Sequence, residues 1–230
     1  MKDENPIPAQ TQRLASLGFI LASVCHEVSN PLAAVSSMLQ ILQSKRGVTP
    51  ETLEKGLASI AANVARVLAI TKKLGDYSRV GGEAPAPLAI DDAVEAAATL
   101  LRHSPAAKDV ELEYRGAPGV TVLARPGELE QVVFNVFLNA AQAMQGAGRI
   151  EARANPNGAE LALSIRDTGP GIPEEHLPRV FEPFFTTKQP GEGTGLGLAI
   201  SYELVQEMRG SIRASNDPRG GARFEIVLPI

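Results

Sequence analysis

Between Leu14 and Leu74 the apolar positions recur in steps of three and four. Leu14, Leu17, Leu21, Val24, Val28, Leu32, Val35, Met38 and Leu42 form one series, and Leu53, Leu57, Ile60, Val64, Val67, Thr71 and Leu74 a second. Such alternation marks the seam of a bundle helix. It predicts a first helix starting near residues 9–14 and ending near Gln43. There Ser44-Lys45-Arg46-Gly47 supplies cations for the helix C-terminus and a glycine stop. The second helix has a cap in Thr49, a first-turn proline in Pro50, and Val48 placed to pack on Leu53 as a hydrophobic staple. A short loop between two such helices makes an antiparallel hairpin. Two helices with one seam each cannot bury both well, so a symmetric homodimer completing a four-helix bundle is expected.

Gly81-Gly82-Glu83-Ala84-Pro85-Ala86-Pro87 then interrupts everything helical and reads as a linker. Beyond it helical and strand-like stretches mix. Helices are expected at 91–102, 128–144 and 197–208, and strands at 110–114, 120–124, 149–154, 160–167, 211–215 and 222–228, with Gly220-Gly221 turning the last pair. The class is α+β, helices layered on a mostly antiparallel sheet. Three segments follow: a helical hairpin at 1–80, a linker at 81–87 and an α/β domain at 88–230.

Composition narrows the function. The chain has 230 residues, 44% of them hydrophobic and 21% charged, with a net charge of -4, which is ordinary for a globular protein. No basic stripe interleaves with aromatics, so no nucleic-acid partner is expected. The single cysteine, Cys25, allows no intrachain disulfide and fits a reducing, cytoplasmic setting. No apolar run approaches the roughly 20 residues of a membrane span, and the opening is not a signal peptide. Met1 to Gln10 is polar with two prolines and reads as a tail or the stub of a linker.

Several stretches carry candidate chemistry. With Leu21 and Val24 at heptad positions a and d, His26 falls at f, exposed. Glu27 follows it, and Asn30 lies one turn on, on the same face. Pro31 removes the hydrogen bond to the Glu27 carbonyl and should bend the helix there. Downstream, Asn135 and Asn139 stand at i and i+4 on an otherwise apolar helix, and amide oxygens suit a hard cation whose charge is offset by polyphosphate. Asp167-Thr168-Gly169-Pro170-Gly171 ends an apolar strand, where a fixed carboxylate can accept from an exocyclic amine and so select adenine over guanine. Phe181-Glu182-Pro183-Phe184-Phe185 holds three of the seven phenylalanines and anchors the start of a glycine-rich segment. Gly193-Thr194-Gly195-Leu196-Gly197-Leu198 runs directly into a helix, a natural anion site.

In this order the motifs resemble those of two-component sensor histidine kinases, from about Leu14 to the end of the chain. His26 to Pro31 matches the H box, Asn135 to Asn139 the N box, Asp167 to Gly171 the G1 box, Phe181 to Phe185 the F box, and Gly193 to Gly197 the G2 box. The stretch 186–192 is most similar to the subgroup that includes nitrogen-regulatory and dicarboxylate sensor kinases. The resemblance implies a dimerising phosphotransfer hairpin followed by a Bergerat-type ATP-binding sandwich. It implies His26 as phosphoacceptor, with Glu27 as its base and Asn30 orienting water for phosphatase activity. Asp167 would hold the adenine amine and Asn139 a Mg²⁺ ion. Asn135, Gly169, Gly171, Thr187, Lys188, Gly193, Gly195, Leu196, Gly197 and Leu198 would complete the ATP site, with 181–197 as a lid. The implied partner is a response-regulator receiver domain.

Two departures stand out. Many family members carry a basic residue three positions after the metal asparagine; this chain has Gln142, leaving Lys188 and Arg179 as candidates for the charge. A threonine often stands where Ala222 does, so one polar adenine contact is expected to be missing. An Hsp90- or MutL-like ATPase would share the nucleotide motifs without needing the His26 turn, and an inactive scaffold would be expected to have lost one of them. His103 and His176 match no motif and read as surface residues.

Overall fold

The computed structural model describes residues 28–44, 49–79, 84–125, 127–188 and 195–230. The chain divides into two compact units, Met1–Ser78 and Arg79–Ile230.

In the first unit, residues 28–43 are helical (α1) and α2 spans Pro50–Arg79. Thr49 caps α2 as expected: its Oγ1 accepts from the Thr52 N–H at 3.1 Å, and its carbonyl accepts from Leu53 N at 2.9 Å. The start of the first helix, Glu27 (on which the Pro31 bend depends) and Val48 of the staple lie outside the described residues. Within the single chain the face between the helices takes up part of the predicted seams, which a second copy was expected to complete. On α1 it runs through Val28, Pro31, Val35, Met38 and Leu42, with Pro31 buried and Leu32 exposed. On α2 Gly56 is buried and Thr52, Ser59, Ile60 and Asn63 are half-buried. A Cβ on Gly56 would stand 3.2 Å from Leu42 Cδ1 and Met38 Sδ, so a small residue sets the approach. Leu53, Leu57, Val64 and Leu68 are left exposed.

The first strand of the second unit begins two residues earlier than a linker reaching Pro87 allows. Strand β1, Ala86–Ala89, pairs antiparallel with β3, Thr121–Ala124, placing Pro87 opposite Leu123. A proline fits here because a two-stranded sheet has only edge strands. Helix α3, Ile90–Arg102, buries Ile90, Ala93, Val94, Ala97, Ala98 and Leu101 on one face. Strand β2, Asp109–Arg115, follows, and α4, Glu128–Ala143, starts after Gly127 at φ 84°. Strands β4 (Ala147–Asn157) and β5 (Glu160–Asp167), helix α5 (Gly197–Glu207), and strands β6 (Ser211–Asn216) and β7 (Ala222–Pro229) complete the fold.

The main sheet has the order β2-β4-β5-β7-β6, with β2 and β4 parallel and the other neighbours antiparallel. Alternation along the strands separates two faces. Ile150, Ala152, Leu161, Leu163, Ile165, Phe224, Ile226 and Leu228 are buried on the side where α4 packs on β4 and β5. Charged side chains cover the other, including Arg149, Glu151, Arg153, Arg213 and Glu225. In α4 the same division is helical: Leu129, Val132, Val133, Val136, Phe137 and Ala140 are buried, with the asparagines beside them. This is the α+β architecture expected, a helical layer on one sheet face. Among the described residues no helix is long and apolar enough to cross a membrane.

Leu163 is fully buried in the middle of β5. Leu163→Ala should destabilise the second unit by about 2–5 kcal/mol in urea denaturation, and a loss under about 0.5 kcal/mol would contradict this placement.

Candidate functional site

Asp167 ends β5 with its side chain on the apolar, helix-facing side of the sheet, opposite Ile150 in β4. It is 3% exposed. Two backbone groups hold it: Gly169 N–H donates to Oδ1 at 2.8 Å and Ala222 N–H donates to the same oxygen at 3.1 Å. Burial pushes its carboxyl above the ordinary value, while those N–H bonds and the neighbouring Arg166 pull the other way. With both donors on Oδ1, Oδ2 receives neither of them. A depression of about 310 Å³ lies beside it, lined by Ala143, Met144, Gln145, Ala147, Thr168, Gly169 and Pro170. Ala222 thus contributes a backbone donor to Asp167 at the position where the family's threonine is missing.

The polar row of α4 faces two different elements. Asn135 Nδ2 donates to the Gly197 carbonyl at 3.0 Å and to Ser201 Oγ at 3.2 Å, so it fastens the first turn of α5. Asn139 Oδ1 accepts from Lys188 Nζ at 3.0 Å, and Gln142 Oε1 accepts from the same ammonium at 2.5 Å. Two neutral oxygens three residues apart on the helix therefore converge on one cation. Among the described residues no cluster of three His, Cys, Asp or Glu side chains gathers as a metal-ligand set. An oxygen donor set of this kind, completed by phosphate and water, fits Mg²⁺. Arg179, the other candidate for the missing charge, is engaged elsewhere: it pairs with Glu182 at 2.9 Å and lies 4.5 Å over the Phe185 ring.

The aromatic motif and the glycine motif are joined by backbone. Phe184, at φ 65°, donates its N–H to the Gly195 carbonyl at 2.9 Å. Gly195 itself has φ 63°, and a Cβ there would overlap the Phe184 backbone. Only glycine meets both conditions. Phe181 packs against Tyr202 of α5 at 5.6 Å and edge-on to Phe224 at 6.4 Å. His176, read from sequence as a surface residue, is half-buried, and its ring meets Phe185 at 5.3 Å. Leu196 is buried at the start of α5, Leu198 is half-buried, and Thr187 is exposed. His26, Glu27 and Gly193 lie outside the described residues, while Asn30 is exposed on α1.

Sequence reasoning missed several contributors. Ser201 stands at i+4 from Gly197, a spacing that points to the same helix face. Asn216 bonds both backbone groups of Ile172, at 2.8 Å to its N–H and 2.7 Å to its carbonyl. Gly221, at φ 85°, lies so close to Asp167 that a Cβ would overlap its carbonyl oxygen. The Gly220-Gly221 pair signalled a turn but not this contact.

Residues 16–83 match the His Kinase A (phospho-acceptor) domain. Residues 124–230 match the family of histidine kinase-, DNA gyrase B- and HSP90-like ATPases. The chain belongs to the sensor histidine kinases. It is similar to the signal transduction histidine-protein kinase AtoS of Escherichia coli K12, 32% identical across 96% of this chain and 36% of that protein. It is 36% identical to the C4-dicarboxylate transport sensor protein DctB of Rhizobium meliloti, across 95% of this chain and 35% of that one. The chain thus spans about a third of the length of these relatives. Among solved structures, the mycobacterial sensor histidine kinase MprB is 31% identical, with a TM-score of 0.57 over 63% of this chain and 97% of that one. Histidine kinase ThkA in complex with the response regulator TrrA is 26% identical, with a TM-score of 0.69 over 96% and 64%.

Gly195→Ala forces a left-handed backbone and a steric overlap together. At a cost of about 1–3 kcal/mol, ATP affinity should fall roughly tenfold or more in equilibrium binding; unchanged affinity would mean that the join between the two motifs is irrelevant to the site.

Proposed function

We propose that the chain is the kinase core of a two-component sensor: it phosphorylates His26 from ATP and passes the phosphoryl group to an aspartate of a response regulator. The observation that carries this reading is the buried Asp167 carboxylate, held by two backbone N–H groups beside the depression at the end of α4, in a chain whose first part matches the phospho-acceptor domain. Oδ2 of Asp167 accepts the adenine amine. Asn139 and Gln142 would supply oxygens to Mg²⁺, and Lys188, which donates to both of these oxygens, would place its charge against the phosphates. Lys188 thereby provides from the lid the cation that Gln142 lacks. Mg²⁺ offsets the charge of the phosphates.

In the reaction the neutral imidazole of His26 attacks the γ-phosphorus, an N–P bond forms, and the bond to the ADP oxygen breaks. A histidine with an unperturbed pKa of about 6.5 is mostly neutral at pH 7, and Glu27 takes or orients the proton on the other ring nitrogen. Positioning supplies most of the acceleration. The solved complex of ThkA with the response regulator TrrA and that of ShkA with AMPPNP support a receiver-domain partner and ATP respectively. Since ATP is the donor, the reaction belongs in the cytoplasm. Support for a homodimer comes from Leu53, Leu57, Val64 and Leu68 of α2 with Leu32 and Leu39 of α1, a row of apolar side chains exposed in the single chain. The linker ahead of β1 joins this dimerising hairpin to the ATP-binding unit.

Incubation with γ-labelled ATP and Mg²⁺ should give an acid-labile, base-stable label that His26→Gln abolishes and Asn139→Ala reduces by roughly tenfold or more. Label that survives in His26→Gln would overturn the assignment. Asn30, one turn beyond His26 and exposed, orients water against the regulator's aspartyl phosphate. Asn30→Ala should slow regulator dephosphorylation by at least about tenfold while His26 labelling persists; an unaltered rate would sink the phosphatase role.

A further inference from the structure

The turn between β6 and β7 touches the G1 segment at both ends. At one end Ala222 N–H donates to Asp167 Oδ1 at 3.1 Å, and Gly221 lies against the Asp167 carbonyl. At the other end Asn216 bonds Ile172 N–H and carbonyl at 2.8 and 2.7 Å, and a Cβ on Gly171 would come within 2.8 Å of Asn216 Oδ1. Asn216 and Ala222 are themselves a register pair of β6 and β7. The segment Asp167 to Ile172 is therefore held at both ends by the paired ends of β6 and β7 and the turn between them.

That turn is locked from the far side of the sheet. Arg166 precedes Asp167 in β5, so its side chain points to the opposite face. Its guanidinium is 9% exposed and pairs with Glu151 at 3.0 Å and with Asp217 at 3.4 Å. It donates from Nη2 to the Gly220 carbonyl at 2.9 Å, and from Nε to the same oxygen at 3.2 Å. The register sets Arg166 opposite Arg223, and the fully buried Asp217 carboxylate lies between them, pairing with both. Asp217 also accepts from the Arg219 N–H at 2.9 Å, and these donors hold its carboxyl far below the usual range. A planar fork with several donors fits two carboxylates and a carbonyl at once; an ammonium does not.

We propose that Arg166 and Asn216 are positioning residues for adenine recognition: through the β6–β7 turn they fix the direction of the Asp167 carboxylate that accepts the exocyclic amine. Neither touches the nucleotide. The inference rests on the reading of Asp167 as the adenine acceptor.

The test measures, on the full chain, equilibrium affinities for ATP and for N6,N6-dimethyl-ATP, which lacks the amine hydrogens, alongside the Tm. The wild type should prefer ATP by about tenfold or more, the scale set by a hydrogen bond to a charged group. Arg166→Lys keeps the charge and loses the fork, and should narrow the preference to less than about threefold by weakening ATP binding alone. Asn216→Ala removes an exposed side chain outside the buried ion network and should narrow it in the same way, which keeps the test intact if Arg166→Lys folds poorly. A lowered Tm with the wild-type preference retained in both variants would show a purely structural role and overturn the proposal. Asp167→Ala in the same assay separates the two ideas. If it loses the preference while the Arg166 and Asn216 variants keep it, only the positioning role fails; if it keeps the preference, the adenine assignment fails and the proposal with it.

Discussion

A carboxylate with almost no exposure at the end of a sheet strand is the constraint on which the second unit depends. Taking a charge out of water is costly unless donors replace the water. For Asp167 those donors come from two places in the chain, Gly169 just after it and Ala222 at the start of β7. The strand order follows from this need: β7 must lie next to β5 for the Ala222 N–H to arrive. It does so antiparallel, with Arg166 opposite Arg223. Burial still raises the carboxyl above its ordinary value, so the pair of N–H bonds does not fully replace the lost hydration. An exocyclic amine at Oδ2, as proposed above, would add a donor to the oxygen that Gly169 and Ala222 leave to others.

Helix α4 presents polar groups beside the core as β5 does at its end. Its apolar residues pack into the core, while Asn135, Asn139 and Gln142 form a row one helical turn apart. Asn135 spends its amide donors on α5, and the oxygens of Asn139 and Gln142 remain for a cation, met in this structure by Lys188. Lys188 meets the helix through charge-assisted hydrogen bonds, and Gly195 meets Phe184 through backbone. Of these two contacts, the one made by Lys188 uses the oxygens proposed above for the metal ion.

The motifs were legible because each is local. Asp167, the asparagine pair and the glycines announce themselves within five or six residues, and the period-two and three-four patterns locate nearly every element around them. What stayed hidden depends on long-range contact. Gly221 reads as a turn glycine, and nothing nearby in sequence says that it presses on Asp167. Asn216 reads as an unremarkable strand end, and Lys188 cannot be aimed at Gln142 by spacing. Strand β1 was lost to the Ala86-Pro87 pair, since proline argues against strands unless the edge position is known. The α2 seam was read for a bundle of two copies, and within one chain three-four periodicity does not show that Gly56, too small to register as apolar, sets the approach of the two helices.

The hairpin and the nucleotide unit also differ in what they need to be stable. The second unit closes its own core, with Phe137, Leu163, Ile165, Phe224 and Ile226 fully or almost fully buried. Among the described residues of the first unit the covered line is narrow and partly made of Gly56, Ser59 and Asn63, while Leu32, Leu39, Ile41, Leu53, Leu57, Val64 and Leu68 are exposed. Apolar burial drives folding at roughly 25 cal/mol per Å², so a helix pair that leaves its leucines in water is under-stabilised until something covers them. A second copy presents the same row and satisfies both at once.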